Sequence, residues 1–235
     1  MLTLAIDTSS KTESVAILNE RDVIFEQSQL VMTNHAASLL VSIKQSLSAA
    51  GTRIEDIDLF ALTVGPGSFT GLRIAASTIK GLALATGKPV VGVQTLEALA
   101  FNVAPSDKTI CPFMDAKRNE VYTALYTITA DGIPREMLSS RVTSPDLFLR
   151  SLHGEVLFLG DGIQKYSRLI EELLWEKPFF APPHSHFVRS SAVGLLGIHH
   201  YSKGLILDTL TFTPGYLRLP QAEMKINHNK YDNRE

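Results

Sequence analysis

Apolar positions in the first thirty residues fall into three extended runs. LTLAID (2–7) is apolar up to its aspartate, ESVAIL (13–18) is rich in small and branched residues, and DVIFEQSQL (22–30) alternates. Their connectors, TSSKT and NERD, are short and polar, which predicts hairpins. A helix is expected over about 34–50, with Asn34 as its N-cap and Gly51 as its stop. Strand DLFALTV (58–64), the loop GPGS (65–68) and a helix from Phe69 to Thr86, stopped by Gly87, come next. Strand PVVGV (89–93) and a helix from about Thr95 close this half. Beyond it, TICPFMDA (109–116) and EVYTALYTI (120–128) pattern as a hairpin, with Asp131-Gly132 as a further turn. SPDLFLRSL (144–152) and the stretch after Gly162 pattern as helices around strand EVLFLG (155–160). PFFAPPHSHF (178–187) reads as a loop, Ser190 to Lys203 as a helix, and the tail from about Asn227 as disordered. No internal repeat is visible in the sequence.

The order β-β-β-α-β-α-β-α is informative. Three antiparallel strands feeding helix-linked strands predict an α/β protein with a mixed sheet, the ribonuclease-H-like arrangement. Proteins of the actin, sugar kinase and Hsp70 group duplicate that lobe. The expectation is therefore a two-lobed actin-like (ASKHA) fold with mixed sheets and a reduced second lobe. Its segments are 1–104, a smaller lobe over 105–213, and a C-terminal segment over 214–235.

Helical periodicity separates two faces on 69–86. Leu72, Ala75, Ala76, Ile79, Leu82 and Ala83 fill one arc, expected to face the sheet. Ile74, Thr78, Gly81 and Ala85 form a second stripe of small or apolar residues, and only Arg73 and Lys80 are charged. A helix this apolar around its circumference usually has a second neighbour, which is either the second lobe or a loop of the same chain, or a helix of another protein. On the preceding helix Leu39, Leu40, Ile43 and Leu47 form the expected core stripe, while Ala37, Val41 and Ser48 leave a weakly polar back.

Two loops could carry chemistry. Asp7, Thr8, Ser9 and Ser10 end the first strand, and their amides and hydroxyls, with Lys11 nearby, are suited to a phosphate. An ordinary Asx or Ser turn would use the same residues. Gly65, Gly67 and Ser68 join a strand to a helix, where amides can meet an anion or simply make a tight turn. No Gly-Lys-Ser/Thr follows, so this is not a P-loop. Metal chemistry at Asp7 would need further carboxylates, and the end of the fourth strand supplies Val64-Gly65 instead.

Composition narrows the classes. The 22 basic and 24 acidic residues leave a formal charge of −2, which argues against a strongly basic nucleic-acid binder. Arg73, Lys80, Lys117 and Arg118 could still form a local basic surface. The single cysteine, Cys111, excludes an internal disulfide framework. The seven histidines give no HExxH, and no Ser-His-Asp set can be assembled, so neither metal nor catalytic residues are assigned. No apolar run reaches the roughly 20 residues of a membrane helix, and Asp7 interrupts the N-terminal apolar stretch, so a cytoplasmic protein is expected.

AIDTSS (5–10), GPGSFTGLR (65–73), MDAKRNEVY (114–122) and PGYLR (214–218) together resemble the TsaB (YeaZ) family of bacterial tRNA threonylcarbamoyladenosine biosynthesis proteins. They occur in that family's order and span nearly the whole chain, with GPGSFTGLR the most specific. The family is similar in fold to the catalytic subunit TsaD, of the M22 glycoprotease group. TsaD carries a metal-binding HxxxH whose histidine positions fall here on Thr95 and Leu99, neither suited to replace histidine. The resemblance therefore implies a non-catalytic partner of a TsaD-like subunit and a TsaE-like ATPase, required to modify the adenosine beside the anticodon; the alternative is an M22-like metallopeptidase or an ATP-binding ASKHA enzyme that uses the Asp7 turn. It implies no intrinsic cofactor, with ATP or ADP only in the complex, and contact with tRNA only through the partner. The two helices would form the contact with TsaD, and a homodimer can use the same surface. Ile74, Thr78, Gly81 and Ala85, with Ala37 and Val41 across the groove, are the contact residues this implies.

Overall fold

The structure, a computed structural model, describes residues 1–31 and 35–217, without the side chains of 35–37. The expected N-cap Asn34 and the tail from Asn227 lie outside the described residues. The first half runs β1 (Leu2–Asp7), β2 (Thr12–Asn19), β3 (Asp22–Leu30), α1 (His35–Ala49), β4 (Leu59–Thr63), α2 (Phe69–Thr86), β5 (Val90–Val93) and α3 (Thr95–Phe101). The second runs β6 (Thr109–Lys117), β7 (Glu120–Ile128), β8 (Pro134–Thr143), α4 (Pro145–Leu149), β9 (Val156–Leu159), α5 (Ile163–Leu173), β10 (Phe179–Phe180) and α6 (Ser190–Ser202).

The two halves share one plan. The first sheet has the order β3-β2-β1-β4-β5 and the second β10-β9-β6-β7-β8, which is the same order read from the other edge. In each, the first three strands pair antiparallel and the last two join in parallel. The duplication is therefore structural although the sequence shows no repeat. The reduction of the second lobe lies in its helices and last strand: α4 has five residues and β10 two. Strand β8 and the short β10 were not read from the sequence, the latter lying inside the expected loop 178–187.

Alternation along β1 sends Leu4 and Ile6 to one face, where they pack with Leu39, Ile43, Ala75, Ile79 and Ala83 of α1 and α2. Ala5, with Ala16 and Ala61, faces the other way, into a core shared with α3, α6 and the second sheet. The halves exchange their last helices: α3 follows β5 yet packs on β6, β7 and β8, while α6 follows β10 yet packs on β1, β2, β4 and β5. Close approach explains the small residues there. A β-carbon on Gly194 would overlap Leu18, and one on Gly197 would come within 2.7 Å of Ala61 Cβ. The far face of the second sheet packs Phe113, Phe158 and Cys111 against Phe148, Ile163, Tyr166 and Ile170.

Candidate functional site

Helix α2 starts where Ser68 Oγ accepts a hydrogen bond from the Gly71 amide at 3.2 Å, and it ends at left-handed Gly87, whose amide bonds Ala83 O. Between these caps Leu72, Ala75, Ala76, Ile79 and Ala83 are buried on the sheet and Leu82 half-buried, as the periodicity requires. On the opposite side Ile74 and Thr78 are half-buried, and Gly81 and Ala85 are exposed. Across from them α1 exposes Val41, whereas the side chain of Ala37 lies outside the described residues.

One residue assigned to the α1 core stripe turns out to face solvent. Leu40 is 56% exposed because it lies about 100° around the helix from buried Leu39. With Val41 at 54% and Leu84 at 59%, it gives the outer faces of α1 and α2 three large uncovered apolar side chains. Leu40 follows the core position Leu39 and so falls into the inward pattern, whereas Leu84 belongs to neither stripe counted on α2. Along the N-terminal half of α2 an open groove of about 420 Å³ is lined by Phe69, Thr70, Arg73, Ile74, Ser77 and Thr78.

Two devices hold this face in place. Under α1, the buried Glu13 carboxylate accepts hydrogen bonds from Ser38 and Ser42, each at 2.6 Å, and from the Gln29 amide at 3.0 Å. Along α2 runs the chain after α6, tied down by Leu207 N to Val90 O at 2.8 Å and by Gly215 N to Val64 O at 2.7 Å. Phe212 enters the α2 core, and Lys80 Nζ donates to Leu210 O at 3.2 Å. At the start of α2 the Arg73 guanidinium lies 3.8 Å from the Phe69 ring centre. Its Nε donates to Tyr216 OH at 3.3 Å, and the two rings are 4.8 Å apart. This links two quoted motifs, GPGSFTGLR and PGYLR, that lie 143 residues apart at Arg73 and Tyr216.

The two candidate phosphate loops are brought together. Asp7, Thr8 and Ser9 are buried, and Ser10 is half-buried. Asp7 Oδ1 accepts from Ser9 N at 3.1 Å and from Thr63 Oγ1 at 2.7 Å. Ser68 N donates to Ser9 O at 2.7 Å, and Thr8 Oγ1 donates to Gly71 O at 2.7 Å. A β-carbon on Gly67 would overlap Ser9 O, and one on Gly65 would overlap Gly215 O. The amides of Ser9, Ser68 and Gly71, three of the groups a phosphate would use, are thus engaged within the protein.

Thr95 and Leu99, the two positions on which the resemblance would lay metal-binding histidines, are buried on α3, where Thr95 N donates to Gly65 O at 2.8 Å. Among the described residues no three His, Cys, Asp or Glu side chains are grouped to hold a metal ion. Two histidines fasten elements. His200 of α6 places Nδ1 3.2 Å from Gly92 O and Nε2 3.1 Å from Glu97 Oε1, and the Glu97 hydrogen bond raises its pKa. His186 accepts from Gly160 N at 3.3 Å, and burial lowers its pKa. Burial pushes the Cys111 thiol up to about 12.

Comparison with known proteins places this architecture. Residues 23–177 match the family model described as TsaD, tRNA N6-adenosine threonylcarbamoyltransferase. The chain is 33% identical to the tRNA threonylcarbamoyladenosine biosynthesis protein TsaB of Bacillus subtilis, over 96% of this chain and 97% of that protein. It is also similar to the solved structure of YeaZ from Pseudomonas aeruginosa, with TM-score 0.79 and 27% identity over 92% of this chain and 99% of that one. Component A of the (R)-2-hydroxyglutaryl-CoA dehydratase of Acidaminococcus fermentans shares the fold alone, with TM-score 0.53 at 12% identity over 86% of this chain and 99% of that one.

Proposed function

The chain belongs to the TsaB family of tRNA threonylcarbamoyladenosine biosynthesis proteins, and from that premise we propose that it is a non-catalytic subunit of the modifying assembly. It binds a TsaD-like catalytic subunit through the outer faces of α1 and α2 and, with a TsaE-like ATPase, supports modification of the adenosine beside the anticodon. The observation that carries this reading is the exposure of Leu40, Val41 and Leu84 on α1 and α2, two adjoining helices of which α2 also carries Ile74, Thr78, Gly81 and Ala85. Large apolar side chains exposed on two adjoining helices are the kind of surface that a partner covers. Small residues at Gly81 and Ala85 allow a partner helix to approach closely, and each Å² of apolar surface covered contributes about 25 cal/mol. The same face would serve a second copy of the chain in the absence of the catalytic subunit.

In this reading the chain contributes shape rather than chemistry. Thr95 and Leu99, where TsaD carries its metal-binding histidines, support that role. The Asp7–Ser10 turn and the Gly65–Ser68 loop act as a joint that fixes the start of α2, and their bonds to one another support this. ATP or ADP would enter only with the assembled complex. Gel filtration of the chain with the catalytic subunit tests the face. Ile74→Arg and Ala85→Arg should each remain folded and elute apart from the partner; co-elution of both variants as tightly as the parent chain would exclude this surface.

A further inference from the structure

Helices α1 and α2 carry an unmatched charge. Their sequences, HAASLLVSIKQSLSA and FTGLRIAASTIKGLALAT, contain Lys44, Arg73 and Lys80 but neither aspartate nor glutamate, although the chain as a whole is at −2. Even their first turns lack the acidic residue that a helix N-terminus favours. Lys80 is used internally, on Leu210 O and over the Phe212 ring. Lys44 and Arg73 are exposed, and among the described residues no carboxylate pairs with either. Lys44 follows exposed Leu40 by one helical turn and so stands on the same face of α1.

Arg73 is held in one orientation. Its guanidinium lies 3.8 Å from the Phe69 ring centre, its Nε is committed to Tyr216 OH at 3.3 Å, and the Tyr216 and Phe69 rings are 4.8 Å apart. The neighbouring Gly215 N is itself bonded to Val64 O at 2.7 Å, which anchors the tyrosine. With the plane and Nε fixed, the two terminal nitrogens form a fork on the wall of the α2 groove, beside Ile74, Ser77 and Thr78. A planar fork of this kind matches a carboxylate through two parallel bonds. Fixing it in advance reduces the side-chain freedom lost on pairing.

We propose that Arg73 receives a carboxylate from a helix of the TsaD-like catalytic subunit, and that Lys44 draws the same acidic surface onto the α1–α2 face. The inference rests on the partner reading above and adds the chemistry of the partner, acidic residues set among apolar ones. A protein fits better than RNA because Leu40, Val41, Ile74 and Leu84 share these helices with the cations, and a phosphodiester backbone would leave them uncovered. A second copy of the chain is the weaker occupant, since its own α1 and α2 would bring further cations and no carboxylate.

Titration calorimetry of the full chain with the catalytic subunit tests this, between about 50 and 500 mM salt, a range that progressively screens exposed charges. Arg73→Ala should bind about tenfold more weakly at the lower salt, and its affinity should fall less with salt than that of the parent. Arg73→Lys should keep the salt dependence without the full affinity, because lysine has no fork. Tyr216→Phe releases Nε and should lose about threefold with the parent salt dependence. Arg73→Glu should bind more weakly than Arg73→Ala and be restored by one acid-to-lysine change on the partner. Parent affinity and salt dependence in Arg73→Ala, while Ile74→Arg still blocks binding, would overturn the carboxylate contact and leave the face in place. Tighter binding by Arg73→Ala would also overturn it, since another segment of the chain would then hold the guanidinium and compete. Absence of binding by the parent would instead refute the partner reading, and this contact with it.

Discussion

Thr8 and Gly71 are locked to each other: Thr8 Oγ1 donates to Gly71 O at 2.7 Å, while the carbonyl of Thr8 fills the space a β-carbon on Gly71 would need. The bond joins the first hairpin to the first turn of the helix that carries the proposed partner face. Gly71→Ala must push a backbone carbonyl away. Overpacking of this kind costs about 1–3 kcal/mol, so melting should fall by roughly 2–10 °C for a chain of this size. Thermal unfolding checks this, and an unchanged midpoint would mean the two segments can separate freely.

Glu13 anchors the other helix of the face. Glu13→Ala leaves the hydroxyls of Ser38 and Ser42 and the amide of Gln29 without their shared acceptor. Losing a buried carboxylate with such donors costs about 2–4 kcal/mol. Urea unfolding should show that loss, and amide exchange should rise along α1 more than along α2. Glu13→Gln, which keeps one acceptor oxygen, should lose less.

Much of the first lobe was legible because β1, β2, β4 and β5 are buried and largely apolar and because α2 has a countable inward arc that ends at Gly87. The second lobe was less so. In β8, PREMLSSRVT, charged and hydroxyl residues cover an edge strand whose residues are largely exposed, so no apolar face announces it. The two residues of β10 are too few to show any period. Helix α6 looks apolar all round because it lies between the first sheet and α3, and nothing local tells that its sheet is formed by residues more than a hundred positions earlier. At the candidate site the inward arc of α2 could be counted off, whereas the stack of Phe69, Arg73 and Tyr216 depends on the chain's return and has no local signal.

His200 gives the stability a pH dependence with a definite sign. Both ring nitrogens face oxygen acceptors, so the charged form is favoured and the folded pKa stands above the ordinary 6.5. A raised histidine pKa contributes stability that is full below about 6.5 and lost as pH rises through the folded value. The melting temperature should therefore lose a component on passing from pH 6 through the alkaline side of neutrality. His200→Gln should remove that component, and an identical pH profile in the variant would contradict the pairing.

Cys111 should be inert while the chain is folded. It is fully buried, and its thiol, pushed up to about 12, is almost wholly protonated near neutral pH. Ellman's reagent should release no thiolate from the native protein over minutes and one equivalent after denaturation. Prompt reaction of the native chain would show that the second-lobe core opens.

The central claim, that this chain is an obligatory partner without chemistry of its own, is tested most directly by reconstitution. The catalytic subunit, the ATPase, the threonylcarbamoyl donor, ATP and substrate tRNA are combined with and without the chain, and modified adenosine is quantified. Modification should depend on the parent chain and fall to background with Ile74→Arg, while the chain alone with tRNA and donor yields none. Equal modification with the chain left out would contradict the account.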